Sequence, residues 1–135
     1  RYPKNSLVIA MYGATIGKMG YLNIDTTTNQ ACCVLSNPKG NDAKYLFYQL
    51  LAMKQFVISL STGGGQPNIN QDIVRFLMLC VPSASEQTTI ANYLDNKTTQ
   101  IDTILANISE QIGKLNQLRK TLINDVVTGK IKVTE

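Results

Sequence analysis

The rhythm of apolar positions changes once along this chain and divides it in two. Leu7-Val8-Ile9-Ala10-Met11 is a short apolar run between polar and glycine residues, the pattern of a buried strand. Tyr21-Leu22-Asn23-Ile24 alternates loosely and predicts a second strand, so residues 7 to 24 read as a hairpin or strand-loop-strand unit. Ala31-Cys32-Cys33-Val34-Leu35 predicts a third, closed by the turn composition Asn37-Pro38-Lys39-Gly40. Asn41 or Asp42 then stands at the cap of a helix in which Tyr45, Leu46, Tyr48, Leu50, Leu51, Phe56 and Leu60 fit helical spacing better than alternation. Ser61-Thr62-Gly63-Gly64-Gly65-Gln66-Pro67 ends that helix, since three glycines and a proline stop it. A short turn or helix over Asn70 to Ile73 and a last strand over Phe76 to Val81, stopped by Pro82, complete the first part.

From Ser83 the period lengthens. Ser83-Ala84-Ser85-Glu86 has the form of a capping box, in which the serine hydroxyl accepts from the Glu86 amide and the Glu86 carboxylate reaches back to the serine amide. Behind it Leu94, Ile101, Ile108, Leu115 and Leu122 recur every seven residues, with Ile104 and Leu118 at alternate second-seam positions. Lys97, Gln111 and Asp125 interrupt the seam, while Leu105, Ile112 and Val126 widen it as in a bundle helix. No proline falls between Ser83 and Gly129, and Gly129 is placed as the C-terminal cap. About 45 residues at ~1.5 Å each give a helix of roughly 65 Å, longer than a small domain is wide. Its stripe calls for a partner helix, in an isolated fragment most simply a second copy; folding back onto its own domain is the weaker alternative. The expected class is α+β: a mixed, β-rich domain over residues 1–82, one long coiled-coil-forming helix over 83–129, and a tail over 130–135.

Composition narrows the chemistry. The 135 residues, 44% of them hydrophobic, suffice for one modest domain and an appendage. No apolar run approaches the ~20 residues of a membrane span, and Arg1-Tyr2-Pro3 is no leader, so a cytoplasmic protein without membrane contact is expected. The missing initiator Met and the early first strand read as a fragment of something longer. The chain has no histidine, which removes Cys-His pairs, Ser-His-Asp triads and His-containing zinc sites. Cys32, Cys33 and Cys80 lie in apolar segments and are expected as buried free thiols of a reducing compartment. The net charge of +4 belongs wholly to residues 1 to 80, where seven Lys or Arg face three acids; the remainder is balanced. A basic front part suits a polyanion, and equally a solvated surface with a mild basic bias.

The segment Gly13-Ala14-Thr15-Ile16-Gly17-Lys18-Met19-Gly20 imitates a phosphate-binding loop. Only three residues precede its Gly-Lys pair where such a loop needs four, and Met19 occupies the position of the magnesium-binding hydroxyl. The three glycines are instead expected to permit tight turns or bulges between strands. No acid-base pair, metal cluster or cofactor loop stands out elsewhere, so neither catalysis nor a cofactor is expected.

An ordered set of landmarks spans nearly the whole chain: Leu7 to Lys18; Asn29-Gln30-Ala31; Gly63-Gly64-Gly65-Gln66-Pro67-Asn68-Ile69; Val81-Pro82-Ser83-Ala84-Ser85-Glu86-Gln87; Ile90-Ala91-Asn92-Tyr93-Leu94-Asp95; and Val126-Val127-Thr128-Gly129-Lys130-Ile131. In that order and spacing the chain resembles the DNA specificity subunit of type I restriction-modification systems. The resemblance implies the second portion of a target-recognition domain followed by its helical spacer. It implies a non-catalytic protein that reads one half of a bipartite double-stranded DNA target and scaffolds methyltransferase subunits and, in larger assemblies, the restriction subunit. Its spacer pairs with a second spacer helix. Ser83, Ala84 and Ser85 replace the richer proline pattern usual in the family before Glu-Gln, which leaves the helix start to the capping box.

DNA is read at base edges by Arg, Lys, Asn and Gln, and positioned through phosphates by hydroxyls, amides and lysines. On that basis Thr15, Lys18, Thr27, Asn29, Gln66 and Asn68 are the DNA-binding candidates. Gln66 and Asn68 serve as readily to satisfy their own turn, and Tyr2, Tyr12 and Tyr21 are expected to pack. Leu94, Ile101, Ile104, Ile108, Leu115, Leu118 and Leu122 are the helix-pairing candidates. The alternative is a coiled-coil adaptor without DNA binding, which accounts for the helix and not for the basic front part.

Overall fold

The computed structural model describes residues 1–36, 40–62 and 67–133. They form two compact units, Arg1–Leu94 and Asp95–Glu135. The first is built on a three-stranded antiparallel sheet of order β2-β1-β3, with β1 at Leu7–Ala10, β2 at Met19–Tyr21 and β3 at Cys32–Leu35. Val8 stands opposite Gly20 on one side and Val34 on the other. Alternation along β1 puts Leu7 and Ile9 on the buried face, and Met11 continues that series.

Helices cover this face. α1 (Ala43–Ala52) contributes Tyr45, Leu46 and Leu50, α2 (Lys54–Ser59) contributes Val57, and α3 (Gln71–Arg75) contributes Val74. Ile69 and Ala91, the latter from α4 (Ala84–Val127), complete the core. Asp42 caps α1 by accepting from Lys44 N at 2.8 Å and Tyr45 N at 3.1 Å, and Asn70 caps α3 by accepting from Ile73 N at 2.8 Å. The sequence expectation of an α+β domain followed by one long helix therefore holds.

Several local expectations are corrected. The helix after Asp42 is two helices, because Met53 turns out of helical geometry at φ −85°, ψ 0° between α1 and α2. The second strand lies at Met19–Tyr21, two residues earlier than Tyr21 to Ile24. Phe76 to Val81 forms no strand: Phe76 ends α3, and the Cys80 carbonyl accepts from Tyr45 Oη at 2.8 Å and Gln49 Nε2 at 2.9 Å. Phe76 and Met78, which alternation places on one face, are both largely exposed. Cys80 is exposed as well, while Cys32 and Cys33 are half-buried and all three thiols are free. Tyr12 and Tyr21 are 38% and 40% exposed, and Tyr21 leans on Phe47 with ring centroids 5.4 Å apart. The turns expected at Asn37 to Lys39 and Gly63 to Gln66 lie outside the described residues.

Gly13 and Gly17 hold φ values of +63° and +71°, as the tight-turn reading requires. Gly20 has no such need: it sits in β2 and a methyl group there would meet nothing within 4 Å. At Gly17 a methyl group would stand 3.1 Å from Ile58 Cγ1 and 3.3 Å from Lys54 Cγ, so α2 packs directly on the hairpin turn.

The capping box of α4 is formed. The Glu86 carboxylate accepts from Ser83 N at 3.1 Å and Ser83 Oγ at 2.7 Å, and Glu86 N donates to Ser83 Oγ over a longer 3.4 Å. At the far end Gly129 takes φ +77° and donates to Val126 O.

Two measurements test these assignments. Gly17→Ala forces a side chain into the left-handed region and should cost about 1–2 kcal/mol in urea unfolding, whereas Gly20→Ala should leave the midpoint unmoved; equal effects would refute the turn assignment. The Ser83 hydroxyl and amide hold the Glu86 carboxyl below its ordinary range. A carboxyl depressed in the folded state adds stability above its unfolded pKa and loses it as pH falls through the folded one. Ser83→Ala should therefore lower the thermal midpoint at neutral pH and converge with the native chain as Glu86 is protonated.

Candidate nucleic-acid interface

The C-terminal end of β1 gathers three polar segments. Met11 carries the strand's hydrogen bonding one residue past the sheet, donating to Ala31 O at 2.8 Å and accepting from Ile69 N at 3.0 Å. Tyr12 bridges Asn68, and Asn68 exchanges two backbone bonds with Thr62, at 2.9 Å and 3.0 Å. A 3₁₀ turn, Gly13–Thr15, follows at once. The hairpin turn, the loop before β3 and the loop before α3 thus meet around Met11 and Tyr12.

Three candidates share this end. Thr15 is exposed; its hydroxyl donates to Tyr12 O at 3.2 Å, and its carbonyl accepts from Lys18 N at 2.9 Å. Asn29 is exposed, and its Oδ1 accepts from Ala31 N at 3.1 Å in an Asx-type turn, leaving the side-chain NH₂ without a partner among the described residues. Asn68 is half-buried with both backbone groups engaged. Lys18 belongs to the same hairpin: its carbonyl accepts from Ala10 N at 2.9 Å, so the backbone is fixed and the side chain is exposed.

Thr27 is not brought here. It follows Thr26, which pairs with Tyr2 beyond the opposite end of β1. Gln66 lies outside the described residues.

Lys54 is a neighbour that periodicity does not reveal. Its side-chain stem runs past Gly17, next to Lys18 in the chain, and the only signal for it is that glycine. Neither lysine has a carboxylate partner among the described residues. Two other cations of this unit are engaged: Arg1 donates to Asp25 O at 3.3–3.4 Å, and Arg75 faces Asp72 at 3.9 Å. This end of the sheet therefore offers two ammonium groups, a hydroxyl and two amides on a fixed backbone, a set suited to phosphate oxygens and base edges.

The environment of the Cys33 thiol does not favour nucleophilic chemistry. Burial pushes Cys33 up, against the opposing pull of the Arg75 guanidinium, so it stays protonated near neutral pH. Among the described residues no three His, Cys, Asp or Glu side chains gather to hold a metal, and no helix is long and apolar enough to cross a membrane.

Comparison with known proteins places these features in context. The model of the type I restriction modification DNA specificity domain matches residues 1–114. Over 87 residues, 64% of this chain, the sequence is 30% identical to the type I restriction enzyme MjaVIII specificity subunit of Methanocaldococcus jannaschii, covering 20% of that protein. Among solved structures, the S subunit of a type I restriction-modification system from M. genitalium matches 93% of this chain and 33% of its own, with a TM-score of 0.61 at 23% identity, a likeness of fold. The chain thus spans a fifth to a third of the length of these relatives.

Proposed function

We propose, because the chain belongs to the type I restriction modification DNA specificity domain family, that it reads one half of a bipartite DNA target and helps hold methyltransferase subunits over it. The observation that carries this reading is the extent of the family match, which runs over the sheet, the convergent loops and α4 as far as residue 114. The role is recognition; chemistry on the DNA belongs to partner subunits, the methyltransferase and, in larger assemblies, the restriction subunit. Residues 1–82 act as the recognition part, 83–129 as the spacer and 130–135 as a tail.

Within the recognition part, Lys18 binds the phosphate backbone with Lys54 beside it, while Thr15, Asn29 and Asn68 stand where base edges or sugars pass. Thr27 joins them only if the DNA also reaches the opposite end of β1. Along the spacer, Leu94, Ile101, Ile104, Ile108, Leu115, Leu118 and Leu122 pair with a second spacer helix, supplied by another copy when the fragment is alone. The support is that Ile101 to Leu122 are between 46% and 64% exposed at these positions, an apolar stripe along the described helix.

Lys18→Ala in the assembled methyltransferase should weaken binding by a similar factor for cognate and non-cognate duplexes and reduce the salt slope by about 1. An unchanged slope in a salt titration would take Lys18 off the phosphate contacts, and a chain that binds no duplex in any assembly would favour the adaptor reading. Ile108→Asp should shift the isolated chain from dimer to monomer in sedimentation equilibrium with the sheet still folded by amide chemical shifts. A native-like oligomer in that variant would refute the seam.

A further inference from the structure

Among the described residues the most deeply buried polar side chain belongs to neither the DNA-binding candidates nor the helix seam. Gln87, in the first turn of α4, is 2% exposed. Its Oε1 accepts from Asp42 N at 2.9 Å, and its Nε2 donates to Pro82 O at 2.9 Å and Asn41 Oδ1 at 3.2 Å. One turn's face further, Thr88 Oγ donates to Asp42 Oδ2 at 3.3 Å, while Asp42 Oδ1 caps α1. One side chain thereby joins the start of α4, the segment leading into it and the N-terminus of α1. Its amide uses both an acceptor and a donor, so no other side chain of similar size satisfies the same three backbone and side-chain groups. Ala91, 1% exposed, packs one turn later against the same core.

A buried amide costs stability unless fully bonded, and an apolar residue of the same volume would seat α4 just as well by packing alone. What hydrogen bonds add is direction: packing allows a helix to slide or roll, and three fixed bonds at one residue do not. We propose that Gln87 is a positioning residue, a clamp that fixes the direction of the first turns of α4 against α1 and so sets the spacing at which the assembled subunit accepts its two half-sites. The spacing part rests on the recognition reading above; the clamp itself does not.

The test separates the two. Gln87→Met keeps the volume and removes the three side-chain bonds of Gln87, leaving Thr88 on Asp42. In the 135-residue chain with its native cysteines replaced, spin labels on the exposed positions Lys44 and Asn92 should give a narrow distance distribution natively and a broad one in the variant, while amide shifts of β1 stay in place. An equally narrow distribution in the variant would overturn the clamp. In the full-length subunit assembled with methyltransferase, the variant should bind its correctly spaced target within a few fold of native but lose about tenfold of the discrimination against a spacer one base pair longer or shorter, the scale of one buried hydrogen-bonded group. Native discrimination in a variant whose labels have broadened would overturn the spacing role. Should the native assembly show no preference for any duplex, the recognition reading fails, and the label distances still decide the clamp.

Discussion

The Arg1–Leu94 unit depends on β1 having its two sides and its two faces all assigned. Its edges are taken by β2 and β3, and its alternate side chains Leu7, Ile9 and Met11 fix which face meets the helices. A slip of one residue would turn that series to the other face and expose it, so the register is held by burial rather than by the few bonds of such short strands. Met11 extends the constraint past the sheet, because its N–H and C=O are committed to two different loops. The polar loops at that end of the sheet are thereby positioned by an apolar strand.

In the proposed reading this division lets a recognition surface keep its backbone while its side chains differ. Thr15, Lys18, Asn29 and Asn68 all have backbone groups engaged in turn or bridge bonds, so their loops keep their course irrespective of what the side chains meet. Side chains on such loops change without disturbing the core beneath them, since β1 and α1 carry the burial. A protein that must tell one DNA sequence from another benefits from that separation. In the proposed reading the two lysines beside Gly17 fit the same scheme: they would supply a general attraction to phosphate, set on a turn that admits no side chain of its own.

Periodicity made β1, β3 and α4 legible, because the two strands are short apolar runs, the helix repeats an apolar position every seven residues, and each has punctuation at both ends. It failed where an apolar run is not a buried face. Phe76 to Cys80 has the residues of a strand, yet β1 already has both neighbours and the segment's Cys80 carbonyl goes to side chains of α1. The break at Met53 leaves the apolar spacing of α1 and α2 nearly intact, so no pattern could show it. Of the DNA candidates, the sequence supplies residue types but not their meeting: that Asn29 and Asn68 share an end with Thr15, and Thr27 does not, follows from bridges between distant segments. Gln87 was visible only as half of a Glu-Gln landmark, since nothing in a lone polar residue on a helix announces burial.

The long helix shows how assembly and stiffness are linked. Between Asp95 and Leu122 it carries Thr98, Thr99, Ile101, Thr103, Ile104, Ile108 and Ile112, whose branched side chains lose rotamer freedom in a helix. Gly113 lies in its interior with open space where a side chain would be, and costs about 1 kcal/mol against alanine. Against this Lys114 pairs with Glu110 at 2.6 Å, on an exposed face where such pairs contribute little. Local propensity is therefore a weak support for 44 continuous helical residues, and in the proposed pair burial of the apolar seam would supply the remainder. In the proposed assembly the same contact that brings two spacers together is then what makes each of them rigid, and a half-site separation is defined only once the pair has formed.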